Sequence, residues 1–229
     1  MKALIEVADL HVRYGSFEAV RGVSFALGKG EILGIVGESG SGKSTIAKTL
    51  IGLEKPSSGR IAIGAKSMQM VFQDAVGSLN PKLKVGSALA EVVKVAKSRR
   101  TPGDLLEMVG LSAAVLDQYP RELSGGQCQR VSVARALACN PEVLIADEPV
   151  SALDVSVQAR ILNLLRQLRR ELGLSILLIA HDLAVVKNVC DNISVMERGL
   201  FVDQGPADEV FADPQSAYTR KLLSAVPTI

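Results

Sequence analysis

The sequence predicts an α/β fold in which helices cover a mainly parallel sheet. Three observations predict it. Short apolar runs at Val143–Ala146 and Ile176–Ala180 fit strands buried on both faces. Helix-like segments alternate with them. A glycine-rich turn joins one such strand to a helix, which is the entry to a phosphate-binding loop. The chain has 229 residues, 48% of them apolar, enough to bury a core in one domain.

The first third reads as strands at Ala3–Val7, Leu10–Tyr14, Val23–Leu27 and Glu31–Val36, with Gly15, Gly22, Gly28 and Gly30 as punctuation. A helix follows from about Lys43 to Gly52, then short strands at Arg60–Ile63 and Met68–Phe72. From about Ala75 to Ala138 the pattern is helical. Within it Thr101 fits an N-cap, Pro102 the first helical position and Asp104 the positive end of the helix dipole. Val143–Ala146 is a buried strand. Ser156–Leu172 is an amphipathic helix with Val157, Ile161, Leu164, Leu165, Leu168 and Leu172 on one stripe and Gly173 as its stop. Ser175–Ala180 is another buried strand, and Asp182 caps the next helix. There is no internal repeat and no low-complexity segment.

Composition narrows the function. A net charge of +2, 3% aromatics and no Trp argue against nucleic-acid binding. No apolar run approaches the roughly 18–20 residues needed to span a bilayer. Glu6 and Asp9 interrupt the stretch a signal peptide would need, so the expectation is a cytosolic chain that a partner could hold at a membrane. Cys128, Cys139 and Cys190 show no CxxC spacing and read as small packed side chains. Lys97-Ser98-Arg99-Arg100 reads as a solvated helix end in preference to a lipid contact. His11 reads as structural.

Gly37-Glu38-Ser39-Gly40-Ser41-Gly42-Lys43-Ser44-Thr45 matches G-x-x-x-x-G-K-[ST] between a strand and a helix. Its glycines let backbone N–H groups approach phosphate oxygens. Lys43 is placed to reach the β- and γ-phosphates of a nucleotide, and the Ser44 hydroxyl to ligate Mg²⁺; alone, the motif indicates an NTPase or kinase. Val143–Ala146 ends in Asp147-Glu148, at the strand end where ligands of α/β sheets sit. Asp147 is placed to hold Mg²⁺ through water, and Glu148 to act as general base on the attacking water.

Leu123-Ser124-Gly125-Gly126-Gln127 opens a further helix, a second site suited to an anion. With this motif the sequence resembles the ATP-binding cassette (ABC) ATPase family over essentially its whole length. The order carries the resemblance: Gly37–Thr45, Gln73, Leu123–Gln127, Asp147-Glu148, Ser151-Ala152-Leu153-Asp154, then His181 after an apolar strand. The resemblance implies a P-loop NTPase core with a small N-terminal antiparallel β-lobe and a helical subdomain inserted at about 75–138, all in one nucleotide-binding domain over 1–229. It implies that Tyr14 stacks on adenine and that Gln73 senses Mg²⁺ and the attacking water. Asp154 crosses a dimer interface, and His181 touches the γ-phosphate. It also implies head-to-tail pairing, identical or mixed, with each ATP held between one phosphate loop and the partner's Leu123–Gln127. Cys128 and Val150 depart from the family's usual Arg and Thr.

Gln73-Asp74 with Ser78-Leu79-Asn80-Pro81, the stretch Ala152–Ala159, Gln204-Gly205-Pro206 and the ending through Val226-Pro227 resemble the dipeptide, oligopeptide and nickel importer branch. That branch implies permease subunits in a membrane, an extracytoplasmic solute-binding protein acting indirectly, and attachment to the cytoplasmic face of the membrane. Oligopeptide-type members often carry a tail beyond the position of Ile229, and the segment between Ile63 and Met68 is brief. The alternatives are a soluble ABC ATPase acting on nucleic acid or ribosomes, and a non-hydrolysing regulatory subunit. The presence of Glu148 and His181 argues against the second.

Overall fold

Alternation along the central strands explains the layers. In the computed structural model, which describes residues 3–151 and 153–224, β3 (Ile32–Val36), β6 (Val143–Asp147) and β7 (Ser175–Ala180) are buried at every position. Their side chains divide between two cores. Ile32, Leu144, Ala146, Ile176 and Leu178 face one core, while Leu33, Ile35, Val143, Ile145, Leu177 and Ile179 face the other. Ala152 and the Val226-Pro227 pair, both used in the sequence reading, lie outside the described residues.

These strands form a six-stranded sheet in the order β5-β6-β7-β3-β8-β9, completed by β5 (Met68–Val71), β8 (Asn192–Glu197) and β9 (Leu200–Pro206). All neighbours run parallel except β8 and β9, which form an antiparallel hairpin. The second core is closed by α1 (Lys43–Leu50) and by a three-stranded antiparallel sheet, β2-β1-β4. Its strands are β1 (Ala3–Tyr14), β2 (Phe17–Gly28) and β4 (Ser58–Ile63). The two strands expected at the N-terminus are one strand. Asp9, at φ 50°, makes a bulge between Val7 and Leu10, and its N–H bonds to Ser24 Oγ at 2.9 Å.

Between β5 and β6 lie α2 (Val85–Val95), α3 (Pro102–Met108), two 3₁₀ turns and α4 (Gly125–Leu137). The Thr101 cap forms as a capping box. Thr101 Oγ1 accepts from Asp104 N at 3.2 Å, and the Asp104 carboxylate accepts from Thr101 N at 2.7 Å. The basic run 97–100 is more than a solvated end. Arg100 donates to the Leu137 carbonyl at 3.1 Å, a cation at the negative end of α4. His11 is held by Glu18 at 2.8 Å and Asp9 at 3.3 Å, a structural role. Cys128 and Cys190 are buried and Cys139 half-buried, all free thiols.

The long helix α5 (Val155–Leu172) ends on Gly173 in the left-handed region, at φ 65°. Ile161, Leu164, Leu165 and Leu168 are buried and Val157 packs on the core, but Leu172 is 39% exposed and leaves the expected stripe. Leu172 points almost the same way as Leu165, two turns earlier, but as the last residue of the helix it stands past the edge of the core. Beyond it lie α6 (Leu183–Val186), capped by Asp182 through Ala184 N at 2.8 Å, then α7 (Ala207–Ala212) and α8 (Ala217–Ser224).

Leu165 is 1% exposed on the face of α5 that covers the sheet. Leu165→Ala should therefore cost about 2–5 kcal/mol, read as a lower urea midpoint with an unchanged m-value. A loss below about 1 kcal/mol would mean that α5 does not seal that core.

Candidate functional site

Four functional segments follow the C-terminal ends of adjacent parallel strands. The phosphate loop follows β3, Gln73 follows β5, Glu148 follows β6, and His181 follows β7. Tyr14 closes β1 beside the same loop.

The loop is built around a buried ammonium. Lys43 is 3% exposed, and its Nζ donates to the carbonyls of Gly37 at 2.8 Å and Glu38 at 2.9 Å. Glu148 Oε1 stands 3.8 Å away. Burial pulls the Lys43 pKa below its ordinary value, and the charges of Glu148 and Asp147 oppose that pull. Two glycines are required by contact. A Cβ on Gly37 would strike the Met196 carbonyl oxygen, and one on Gly42, at φ 112°, would strike the Ala19 carbonyl oxygen. The Arg198-Gly199 turn of the β8–β9 hairpin holds the loop from below, with Gly199 N donating to Ser41 O at 2.9 Å. Glu38, Ser39 and Gly40 face outward, Ser44 and Thr45 are half-buried, and Ser41 is buried.

Two hydrogen bonds tie the strand ends together. Ser44 Oγ donates to Asp147 Oδ1 at 3.0 Å, and Gln73 Nε2 donates to Glu148 Oε2 at 2.9 Å. His181 Nδ1 lies 3.9 Å from the same Glu148 oxygen and is half exposed. Burial raises the pKa of Asp147 above its ordinary value; the Ser44 hydroxyl lowers it and the Glu148 charge adds to the rise. Glu148 sits at φ 46°, a left-handed conformation uncommon for a non-glycine residue. Lys43, Gln73 and His181 thus converge on Glu148, while its neighbour Asp147 is tied to Ser44 of the loop.

Tyr14 is 44% exposed, and burial raises its hydroxyl pKa above the ordinary value, with Thr45 lowering it and Glu54 adding to the rise. Phe17, 62% exposed, pairs with Tyr14 across the Gly15-Ser16 turn. The sequence reading did not single it out, though an aromatic directly after that turn was the available signal.

The Leu123–Gln127 segment does not join this group through any hydrogen bond among the described residues. It is a capping box at the start of α4. Ser124 Oγ accepts from Gln127 N at 3.3 Å, and Gln127 Oε1 accepts from Ser124 N at 2.9 Å. Gly126 packs on Val157, leaving no space for a Cβ, while Ser124 and Gly125 are exposed. Cys128 faces the core and donates to Pro120 O at 3.6 Å. Asp154 is exposed at the N-cap of α5, where its Oδ1 accepts from Val157 N at 2.9 Å and Ser156 Oγ at 2.7 Å. Gln158, quoted in the sequence without a role, donates to the carbonyls of Val150 at 3.2 Å and Leu153 at 3.0 Å, and so pins the turn after Glu148.

Comparison with known proteins places this geometry. The profile of a family described as ABC transporter matches residues 20–151. The oligopeptide transport ATP-binding protein OppF of Salmonella typhimurium is 44% identical over 99% of this chain and 78% of the relative. The dipeptide transport ATP-binding protein DppF of Haemophilus influenzae is 44% identical over 93% of this chain and 71% of the relative. Among solved structures, cbiO1 of Clostridium perfringens, part of the ABC transporter complex cbiONQ, superposes with a TM-score of 0.81 at 31% identity, covering 99% of this chain and 97% of that one. The ADP conformation of MJ1267, an ATP-binding cassette of an ABC transporter, superposes with a TM-score of 0.83 at 25% identity, covering 99% of this chain and all of that one.

The buried carboxylate of Asp147 gives a prediction with a definite sign. Its folded pKa lies above the ordinary 3.8, so the folded chain holds this proton more tightly than the unfolded chain. Stability from this group is greatest at low pH and is lost as pH rises through and above 3.8. Asp147→Asn should match the parent in melting temperature near pH 3.5 and exceed it increasingly toward pH 7. Equal melting temperatures across that range would show that the carboxylate is not strained by burial.

Proposed function

This chain belongs to the ABC transporter family, and from that premise we propose how its residues hydrolyse ATP and what the hydrolysis drives. The protein is an ATP-binding, ATP-hydrolysing subunit of an ABC importer. The observation that carries the mechanism is the convergence of Lys43, Gln73 and His181 on the Glu148 carboxylate.

The N–H groups of Gly40–Thr45 and the positive end of α1 cradle the phosphates, with Gly37 and Ser39 completing the loop. Tyr14 stacks on the adenine. Lys43 exchanges the carbonyls of Gly37 and Glu38 for the β- and γ-phosphate oxygens. Gln73 and Glu148 hold the attacking water, and Glu148 accepts its proton as oxygen adds to the γ-phosphorus. The bond to the β–γ bridging oxygen breaks, and ADP and phosphate leave. His181 donates to the γ-phosphate. Ser44, Asp147 and Gln73 would hold Mg²⁺, which when bound neutralises phosphate charge. Their oxygens suit a hard cation, with Ser44 Oγ and Asp147 Oδ1 already 3.0 Å apart. Among the described residues no three His, Cys, Asp or Glu cluster as a metal cage, so the ion would take its remaining ligands from phosphate and water.

The Leu123–Gln127 segment acts in trans. Ser124 and the N–H groups of Gly125 and Gly126 meet the γ-phosphate held by a partner's loop, and Asp154 meets that partner. ATP then closes a head-to-tail pair, and hydrolysis opens it. The chain is a single nucleotide-binding domain, and its inserted segment at about 75–138 passes closure to a permease docked near Gln73–Pro81. The pore belongs to other chains, a reading consistent with no helix among the described residues being long and apolar enough to cross a membrane. The solute is a short peptide, as the names of the 44%-identical relatives suggest, with a nickel complex as the related case. The chain would then work at the cytoplasmic face of the membrane, on permeases served by an extracytoplasmic binding protein.

Three measurements test this reading. Glu148→Gln should bind ATP within about twofold of the parent and lose at least about 10²-fold in steady turnover, as removal of a general base does. Unchanged phosphate release would remove Glu148 from that role. Ser124→Arg should bind ATP as a monomer and fail to pair in light scattering. ATP-dependent pairing at the parent level would overturn the trans site. Deletion of the gene should abolish uptake of labelled di- and tripeptides or of nickel, whereas undiminished uptake of all of them would overturn the solute assignment alone.

A further inference from the structure

The phosphate loop has a hold that none of the motif residues supplies. The Tyr218 hydroxyl oxygen, on α8, accepts from the backbone N–H of Glu38 at 3.0 Å, across 180 residues of sequence. The helix that carries Tyr218 is anchored to the sheet edge. Asp203, on β9, accepts from Gln215 N at 3.1 Å and Ser216 N at 3.0 Å, the two residues that precede α8. Ser216 Oγ accepts from Thr219 N at 2.9 Å, and Thr219 is fully buried. A continuous path therefore runs from β9 through the start of α8 to the first turn of the phosphate loop. A cavity of about 440 Å³ separates the rest of α8 from the loop, lined by Ser39, Gly40, Arg198 and Lys221 among others, so Tyr218 is the hydrogen-bonded crossing between them.

The same peptide is held from its other side by Lys43, whose Nζ takes the carbonyls of Gly37 and Glu38. In the mechanism above Lys43 leaves those carbonyls for the phosphates. The Tyr218 bond has no such competing role and can persist. We infer that Tyr218 is a positioning residue of the nucleotide site, which keeps the start of the phosphate loop in its binding conformation when Lys43 turns to the triphosphate. Its loss would act on ATP affinity, because a loop that must first be ordered binds its ligand more weakly. It would leave the chemical step at Glu148 alone. The inference rests on ATP occupying the Gly37–Thr45 loop.

The test uses the purified chain with three variants. Tyr218→Phe keeps the ring and removes the acceptor. Leu222→Ala loosens the packing of α8 on the core and keeps the acceptor. Lys43→Ala removes the ammonium itself. For Tyr218→Phe, the Kd and KM for ATP should rise about fivefold, the worth of one hydrogen bond, with kcat within twofold. For Leu222→Ala, the melting temperature should fall and the Kd stay within twofold. An unchanged Kd in Tyr218→Phe, an equal rise in Leu222→Ala, or a fall in kcat without a change in Kd would each overturn the inference. Amide exchange followed by NMR reads the same bond in the parent chain, where Glu38 N–H should exchange at least tenfold slower than Ser39 N–H. Fast exchange at Glu38 overturns the inference even if Tyr218→Phe fails to fold. A parent chain that binds ATP no better than Lys43→Ala would instead overturn the assignment of the loop.

Discussion

An ammonium ion taken out of water must be given oxygens, and at Lys43 that requirement shapes the site. Only 3% of the residue remains exposed. The carbonyls of Gly37 and Glu38 turn inward to accept from it, so the loop backbone curls with N–H groups on its open side. The curl presses Gly37 against Met196 and Gly42 against Ala19 closely enough to exclude any Cβ. Glu148 and Asp147 supply negative charge from the next strands, yet burial still lowers the Lys43 pKa. The two carboxylates carry a matching cost, since burial raises the Asp147 pKa. Charges this poorly solvated form a site prepared for an anionic ligand, which would supply compensation the protein alone lacks.

Much of this was legible because it is local. A glycine-rich turn between an apolar run and a helix defines the loop, and strands apolar at every position identify a sheet covered on both faces. What was not legible depends on distant parts of the chain. The β8–β9 hairpin escaped because its Arg198-Gly199 turn lacks the usual Asn or Asp, and because Ser194 is a polar residue buried within the strand. Yet Gly199 from that turn bonds to the phosphate loop, and Tyr218 beyond it bonds to Glu38. The N-terminal strands read as two because Asp9 breaks the alternation, and only cross-strand pairing with Ser24 reveals a bulge in place of a turn. Leu172 was misplaced by extending a helical period beyond the core it serves.

The motif at Leu123–Gln127 shows how one set of residues satisfies two demands. Ser124 and Gln127 complete a capping box, and Gly126 fits against Val157 where a larger residue would not. Local physics thus accounts for Ser, the second Gly and Gln without any partner molecule. Gly125 is exposed at the first helical position, where a Cβ would crowd the Leu153 side chain at 3.2 Å. Asp154 has the same double character, since its Oδ1 caps α5 while the side chain remains exposed. Substitutions at these positions would therefore disturb a helix start as well as any contact made beyond it.

That unspent capacity has a geometric consequence. The cap interactions at the start of α4 use Ser124 Oγ and Gln127 N on each other, and no hydrogen bond carries this helix end to the chain's own phosphate loop among the described residues. A positive helix end with bare N–H groups at Gly125 and Gly126 lowers its energy by meeting an anion. In the proposed binding mode the γ-phosphate of a triphosphate in the loop would face outward past Glu38, Ser39 and Gly40, all exposed. Under the proposed function each chain would offer one half of an anion cage, and a partner cassette, identical or mixed, turned head to tail would supply the other half. In such an arrangement the ligand's charge is compensated only when the pair closes. Removal of the γ-phosphate would then weaken the interface directly, and a chemical step at Glu148 would become a movement of whole subunits.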